Sequence, residues 1–160
     1  MDLSDLVKTL SDVLKTKKLK LATAESCTGG LISMLITDLA GSSDVFDRGF
    51  VTYSNQSKID MLEVSPLTLD RHGAVSEQTA IEMAKGAIKQ SQADIAIAVT
   101  GIAGPSGGTP DKPVGLVYIG FARKNGESFA IKNLFHGDRT AIRKTTAKTA
   151  LETVLNKIGE

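Results

Sequence analysis

The chain has 160 residues, 41% of them apolar, and 19 Lys and Arg against 18 Asp and Glu leave a formal net charge of +1. A single domain spanning 1–160 is expected, long enough to bury about two-thirds of the surface its unfolded form exposes. Near-neutrality without a basic, aromatic-laced face argues against nucleic acid, and the lone Cys27 with two distant histidines argues against an internal disulfide or a bound metal. No apolar run approaches the roughly eighteen residues of a membrane span, and the charged, amphipathic start from Met1 to Lys20 does not read as a secretory signal. A soluble cytoplasmic protein without membrane contact is the expectation.

Leu3, Leu6, Val7, Leu10, Val13 and Leu14 recur at helical spacing after a possible cap at Asp2 or Ser4, so the chain opens on an amphipathic helix. Leu19 to Ala24 reads as a short strand that runs into Glu25-Ser26-Cys27-Thr28-Gly29-Gly30, beyond which Leu31, Ile32, Leu35, Ile36 and Leu39 mark a second helix. Small polar residues and glycines at a strand-to-helix junction gather free N–H groups suited to a phosphate or an oxyanion, or simply cap the helix. Gly41-Ser42-Ser43 ends that helix. Phe50-Val51-Thr52 is a further strand, and Tyr53-Ser54-Asn55-Gln56-Ser57-Lys58 at its end can project a tyrosine and a lysine into a cleft. Pro66 to Arg71 is a short helical turn, and Ser76 caps a helix carrying Ala80, Ile81, Ala84, Ala87 and Ile88.

Ile95 to Val99 and Val114 to Phe121 are unbroken apolar runs of the kind buried strands show. Between them, Thr100 to Pro110 holds four glycines and two prolines, the composition of a backbone bent to approach a ligand closely or of a long surface turn. Asn125-Gly126 then signals a hairpin, and a last helix runs from about Asp138 to Lys157. The fold class expected is α/β: a three-layer α/β/α domain with a mixed, mostly parallel sheet and a late antiparallel hairpin. Ligands of such sheets sit near strand ends.

No phosphate-loop, dinucleotide or nucleophile-elbow motif occurs, so ATP, NAD and esterase chemistry all recede and no cofactor is implied. A serine attacking an amide needs a base, and with both histidines poorly placed Lys58 is the candidate, provided burial or a nearby cation such as Arg139 depresses its pKa from about 10.4. Cys27, at a helix start, is a rival nucleophile.

Taken in order, Ala24-Glu25-Ser26-Cys27-Thr28-Gly29-Gly30, Gly49-Phe50-Val51-Thr52-Tyr53-Ser54-Asn55 with Lys58, Gly73-Ala74-Val75-Ser76, and Thr100-Gly101-Ile102-Ala103-Gly104-Pro105 through Lys112-Pro113-Val114-Gly115 closely resemble the C-terminal domain family of the competence- and damage-inducible protein CinA, whose stand-alone form is nicotinamide-nucleotide amidohydrolase. The resemblance implies hydrolysis of nicotinamide mononucleotide to nicotinate mononucleotide and ammonia, in pyridine nucleotide recycling, by a homo-oligomer. It implies Ser43 as nucleophile, Lys58 as its base and Tyr53 as an orienting or relaying group. Thr100, Gly101 and Arg139 would hold the substrate. Ser26, Thr28, Gly29 and Gly30 would bind phosphate or the oxyanion, with Ser26 a second candidate nucleophile. The large N-terminal domain of full CinA proteins has no counterpart here, so its activity does not carry over. Two rivals stay open: a nucleotide-binding or regulatory domain without catalysis, and an amidase for another small amide.

Overall fold

A computed structural model describes residues 1–159. Helix α1 (Leu3–Lys17) starts at Asp2, whose carboxylate accepts the Asp5 N–H at 2.9 Å. It leads into β1 (Leu21–Glu25), every residue of which is buried. Helix α2 (Leu31–Thr37) and a 3₁₀ turn (Ser42–Asp44) precede β2 (Phe46–Val51). Helices α3 (Asn55–Leu62), α4 (Pro66–His72) and α5 (Glu77–Lys89) then follow in succession. The remainder is β3 (Ile95–Gly101), β4 (Leu116–Arg123), β5 (Ser128–Leu134) and α6 (Arg139–Ile158).

The five strands stand in the order β2-β1-β3-β4-β5, with β1 parallel to both β2 and β3, and β4 antiparallel to both β3 and β5. The expected mixed sheet between helical layers is therefore present. Antiparallel pairing begins one strand earlier than the Asn125-Gly126 hairpin, because the glycine-rich loop itself turns the chain back. Asn125, at φ 57°, makes the second reversal.

Strand alternation divides the core into two unlike halves. Ile95, Ile97, Val99, Val117, Ile119 and Phe121 pack with α1, α2 and α6 on one face. Ala22, Ala24, Ala96, Ala98 and Ala122 meet Met83, Ala84 and Ala87 of α5, together with Leu62 and Leu69, on the other. Small side chains on both sides draw α5 close. A Cβ on Gly120 would stand 2.3 Å from the Ala80 carbonyl oxygen, and one on Gly86 would stand 2.0 Å from that of Leu62. The alanines of α5 are consumed inside the chain, Ala80, Ala84 and Ala87 being 0% exposed. Gly120→Ala is expected to cost about 1–3 kcal/mol by overpacking, read as a thermal midpoint lower by several degrees, with β4 and α5 forced apart.

Candidate active site

The site forms where the parallel strands end. Beyond β1, the Ser26 N–H donates to the Val99 carbonyl at 3.1 Å, and the chain then turns through Gly29 (φ 58°) and Gly30 (φ 107°) into α2. Glycine suits this turn because both residues lie in the left-handed region.

The turn is held from beneath by Glu25, a fully buried carboxylate. Its Oε1 accepts the Thr28 hydroxyl at 2.7 Å and the Ile32 N–H at 2.8 Å, while Oε2 accepts the Ser33 N–H at 3.0 Å and the Ser33 hydroxyl at 2.7 Å. Four donors satisfy its lone pairs and tie the strand end to the first turn of α2.

Neighbouring β2 delivers Lys58. The Thr52 N–H donates to the Glu25 carbonyl at 2.8 Å, and Ser54 caps α3 by accepting the Ser57 N–H at 3.1 Å. This sets Lys58 in the first turn of α3 with its side chain pointing inward, 1% exposed. Its Nζ lies 3.0 Å from Ser26 Oγ, 2.8 Å from the Thr52 carbonyl oxygen and 3.3 Å from that of Tyr53. Among the described residues no carboxylate pairs with it, and burial without a counter-charge lowers its pKa from 10.5 to about 8.

Those three partners fix the chemistry. A carbonyl only accepts, so when Lys58 is neutral its two N–H bonds go to Thr52 and Tyr53 and its lone pair is left for the Ser26 hydroxyl proton. When it is protonated, the third N–H donates to Ser26 Oγ. The arrangement suits proton transfer in both directions between one serine and one lysine.

Other residues singled out in the sequence take different places. Ser43 is exposed on the 3₁₀ turn that precedes β2, whereas Lys58 lies beyond the far end of that strand. The six residues of β2 intervene, roughly 20 Å of strand, so the structure does not bring Ser43 to Lys58. Tyr53 meets Lys58 only through its main chain. The residue is 62% exposed, and its hydroxyl accepts from Arg139 Nη2 at 3.2 Å. The Thr100 hydroxyl donates to the Ala74 carbonyl at 2.8 Å and clasps the segment before α5, while Gly101 packs against Val117 and Leu116 of β4. The Thr28 side chain is taken by Glu25, and its carbonyl accepts from the Leu31 N–H at 3.1 Å and from Arg143 Nη2 at 2.9 Å. Burial pushes the Cys27 thiol up to about 11, the reverse of what a thiolate nucleophile needs.

Arg139, in the first turn of α6, donates from Nη1 to the Gly104 carbonyl at 2.8 Å and so joins the glycine-rich loop to Tyr53. A recess of about 300 Å³ opens beside it, lined by Ala103, Pro105, Val114, Gly137, Asp138 and Thr140. Reasoning from sequence missed Arg143 altogether. From one turn further along α6 it donates through Nε to the Cys27 carbonyl at 3.1 Å and through Nη2 to the Thr28 carbonyl at 2.9 Å. Its only signal was an arginine one helical turn beyond a candidate arginine. Among the described residues no group of three His, Cys, Asp or Glu comes together to hold a metal, and no helix is long and apolar enough to cross a membrane.

Fold and site together define a three-layer α/β domain with a buried serine–lysine pair at the carboxyl ends of its parallel strands. The chain belongs to the CinA C-terminal domain family, whose profile matches residues 3–158. It is 51% identical over 155 residues to the nicotinamide-nucleotide amidohydrolase PncC of Enterobacter agglomerans, covering 97% of this chain and 94% of that protein. To PncC of Escherichia coli (strain K12) it is 48% identical over 153 residues, 96% of this chain and 93% of that one. A putative competence-damage inducible protein of Caldicellulosiruptor bescii is 55% identical over 147 residues, 91% of this chain, yet the match spans only 35% of that longer relative. The crystal structure of the competence/damage inducible protein CihA from Agrobacterium tumefaciens superposes with a TM-score of 0.96 at 47% identity, covering 100% of this chain and 97% of that one.

Proposed function

We propose that the chain hydrolyses the carboxamide of nicotinamide mononucleotide to nicotinate mononucleotide and ammonia, with Ser26 as nucleophile and Lys58 as its base. The observation that carries this reading is the 3.0 Å approach of Lys58 Nζ to Ser26 Oγ inside a site that lowers the lysine's pKa. The likeness in sequence and length to two nicotinamide-nucleotide amidohydrolases supplies the substrate.

Neutral Lys58 takes the hydroxyl proton as Ser26 Oγ bonds to the carboxamide carbon, and the carbonyl oxygen becomes an oxyanion beside the Ser26–Gly30 turn. As the tetrahedral intermediate collapses, its C–N bond breaks and the Lys58 ammonium returns the proton to the departing nitrogen, which leaves as ammonia. Water attacks the acyl-enzyme with Lys58 again as base. The products are the nicotinate carboxylate and a regenerated serine.

Arg139 beside the 300 Å³ recess supplies the charge for the nucleotide phosphate, its guanidinium exchanging Gly104 and Tyr53 for phosphate oxygens. Arg139→Gln is expected to raise KM by roughly 10–100-fold, the range for losing a charge-assisted hydrogen bond, with kcat altered far less; steady-state kinetics on the mononucleotide check it. The same reading puts the enzyme in the cytoplasm as a homo-oligomer, whose mass light scattering will read.

The deciding experiment is ammonia release from nicotinamide mononucleotide by the purified protein, beside a panel of small amides. Release from the mononucleotide alone supports the reading. No release from it, with turnover of another amide, reassigns the substrate, and no release from any amide removes the catalytic reading.

A further inference from the structure

Tyr53 spans the two ends of the site. Its main-chain carbonyl oxygen accepts from Lys58 Nζ at 3.3 Å, and that nitrogen lies 3.0 Å from Ser26 Oγ, so the residue begins one lysine nitrogen away from the reacting hydroxyl. At the far end of the side chain its own hydroxyl accepts from Arg139 Nη2 at 3.2 Å, on the border of the 300 Å³ recess. The phenol ring lies between the two. Val51, two residues earlier and 48% exposed, passes the Ser26–Gly30 turn, its Cγ2 3.8 Å from where a Cβ on Gly30 would stand.

Held at both ends, the residue is nevertheless open to solvent. Tyr53 is 62% exposed, and among the described residues no aromatic ring or cation stands over its face. An aromatic side chain gains most from the area its faces cover, and here much of that area is left uncovered while the hydroxyl is fixed. A ring ordered in this way is preorganised for a flat ligand.

Resting on nicotinamide mononucleotide as substrate, we propose that Tyr53 is a specificity-determining residue whose ring face receives the substrate's pyridinium ring while Arg139 takes its phosphate. The mononucleotide has the complementary charges. Its glycosidic bond to the ring nitrogen leaves a permanent positive charge on the pyridine, and the phosphate is negative at the other end. A phenol face attracts a cation through its quadrupole, and a guanidinium at the hydroxyl edge meets the anion. Arg139 holds the ring in place before binding and turns to the phosphate as the mononucleotide enters. The two opposite charges select it over free nicotinamide, which is neutral and lacks the phosphate. The Tyr53 hydroxyl carries no proton for Lys58, which meets this residue only at the main-chain carbonyl.

The test reads the ring directly, because the chain has two tyrosines and no tryptophan and the second, Tyr118, is half-buried on β4. Nicotinamide mononucleotide is expected to quench the parent's tyrosine emission saturably, after correction for its own absorbance, whereas Tyr53→Leu leaves only the linear, collisional part. In steady-state kinetics Tyr53→Leu should raise KM roughly 3–30-fold, the range of a cation held over an aromatic face, with kcat reduced far less. Leucine at so exposed a position leaves the fold in place. The reduced mononucleotide, whose dihydropyridine ring is uncharged, should compete more weakly than the oxidised form binds to the parent, and Tyr53→Leu should lose that preference. Tyr53→Phe keeps the ring face and loses only the bond from Arg139, so its KM falls between the two and the preference for the charged ring survives. Equal affinity of the parent for charged and uncharged rings overturns the proposal, as does a Tyr53→Phe variant whose kcat collapses, which would make the hydroxyl the working part. Saturable quenching without ammonia release sinks the amidase reading and keeps the ring platform. Ammonia release with linear quenching alone does the reverse, and the absence of both overturns both.

Discussion

Ser26→Ala is expected to abolish release of ammonia from nicotinamide mononucleotide, by a factor of about 10⁴ or more, while Ser43→Ala keeps most of the parent rate. The contrast rests on place rather than on chemistry, since both are serines near helical turns. Ser26 follows β1 at the strand end where its Oγ meets Lys58 Nζ at 3.0 Å. Ser43 precedes β2 at the opposite end and is open to solvent. Removing the Ser26 hydroxyl deletes the atom proposed to form the acyl bond and leaves the turn intact, because the backbone contacts to Val99 and Gly29 do not involve Oγ. Ammonia assay on both variants, with intact-mass trapping of the acyl-enzyme in the parent, reads the result. Loss of activity in Ser43→Ala with retention in Ser26→Ala would reverse the assignment.

Lys58→Met is the second substitution of large effect, and its signature is a pH profile as much as a rate. The parent's kcat/KM is expected to climb about tenfold per pH unit below a midpoint near 8, where Lys58 loses its proton. The variant should show residual activity about 10³-fold lower or less, without that limb. Methionine is close to lysine in length and carries no charge to desolvate, so the fold should persist. Stability gives an independent reading. A lysine whose pKa falls from 10.5 unfolded to about 8 folded binds fewer protons in the native state between those values, so the parent becomes more stable as pH rises across that window. Lys58→Met lacks the rise. Chemical denaturation at pH 7.5 and pH 10 checks it, and parallel behaviour of the two proteins would remove the buried, depressed lysine.

Much of the scaffold could be read from local chemistry. Ser76 and Asp138 cap α5 and α6 through their side chains, as expected of those residue types before an apolar period. Asn125-Gly126 turns β4 into β5; the apolar run Ile95–Val99 is buried throughout, and the run Val114–Phe121 is buried apart from half-buried Val114 and Tyr118. Helix α3 escaped notice because it is eight residues long and turns its lysine toward the core, which reverses the polar-out pattern that reveals most helices. Distance across the sheet was the harder matter. Lys58 contacts Ser26 across 32 positions of sequence, and that contact depends on β1 and β2 being adjacent and parallel, a pairing no local motif declares. Strand polarity would have discriminated between the serines, since one follows a strand and the other precedes one, and ligands gather at carboxyl ends. Glu25 read as part of a capping turn; its four hydrogen bonds and the grip of Arg143 from α6 emerge only when distant elements meet.

β3 is a seam, parallel to β1 on one side and antiparallel to β4 on the other. On the parallel side the paired ends of β1 and β2 bring Ser26 and Lys58 together, and an insertion in either strand would break the register that joins them. On the other side, residues 105–111 are exposed and fixed chiefly where Lys112 Nζ meets the His72 carbonyl at 2.6 Å and its N–H meets Thr109 Oγ1 at 3.0 Å. Doubling the length of such a loop costs only about 0.6 kcal/mol in closure entropy. Heritable change can therefore accumulate in the loop while the strand pairing that joins Ser26 to Lys58 is passed on unaltered.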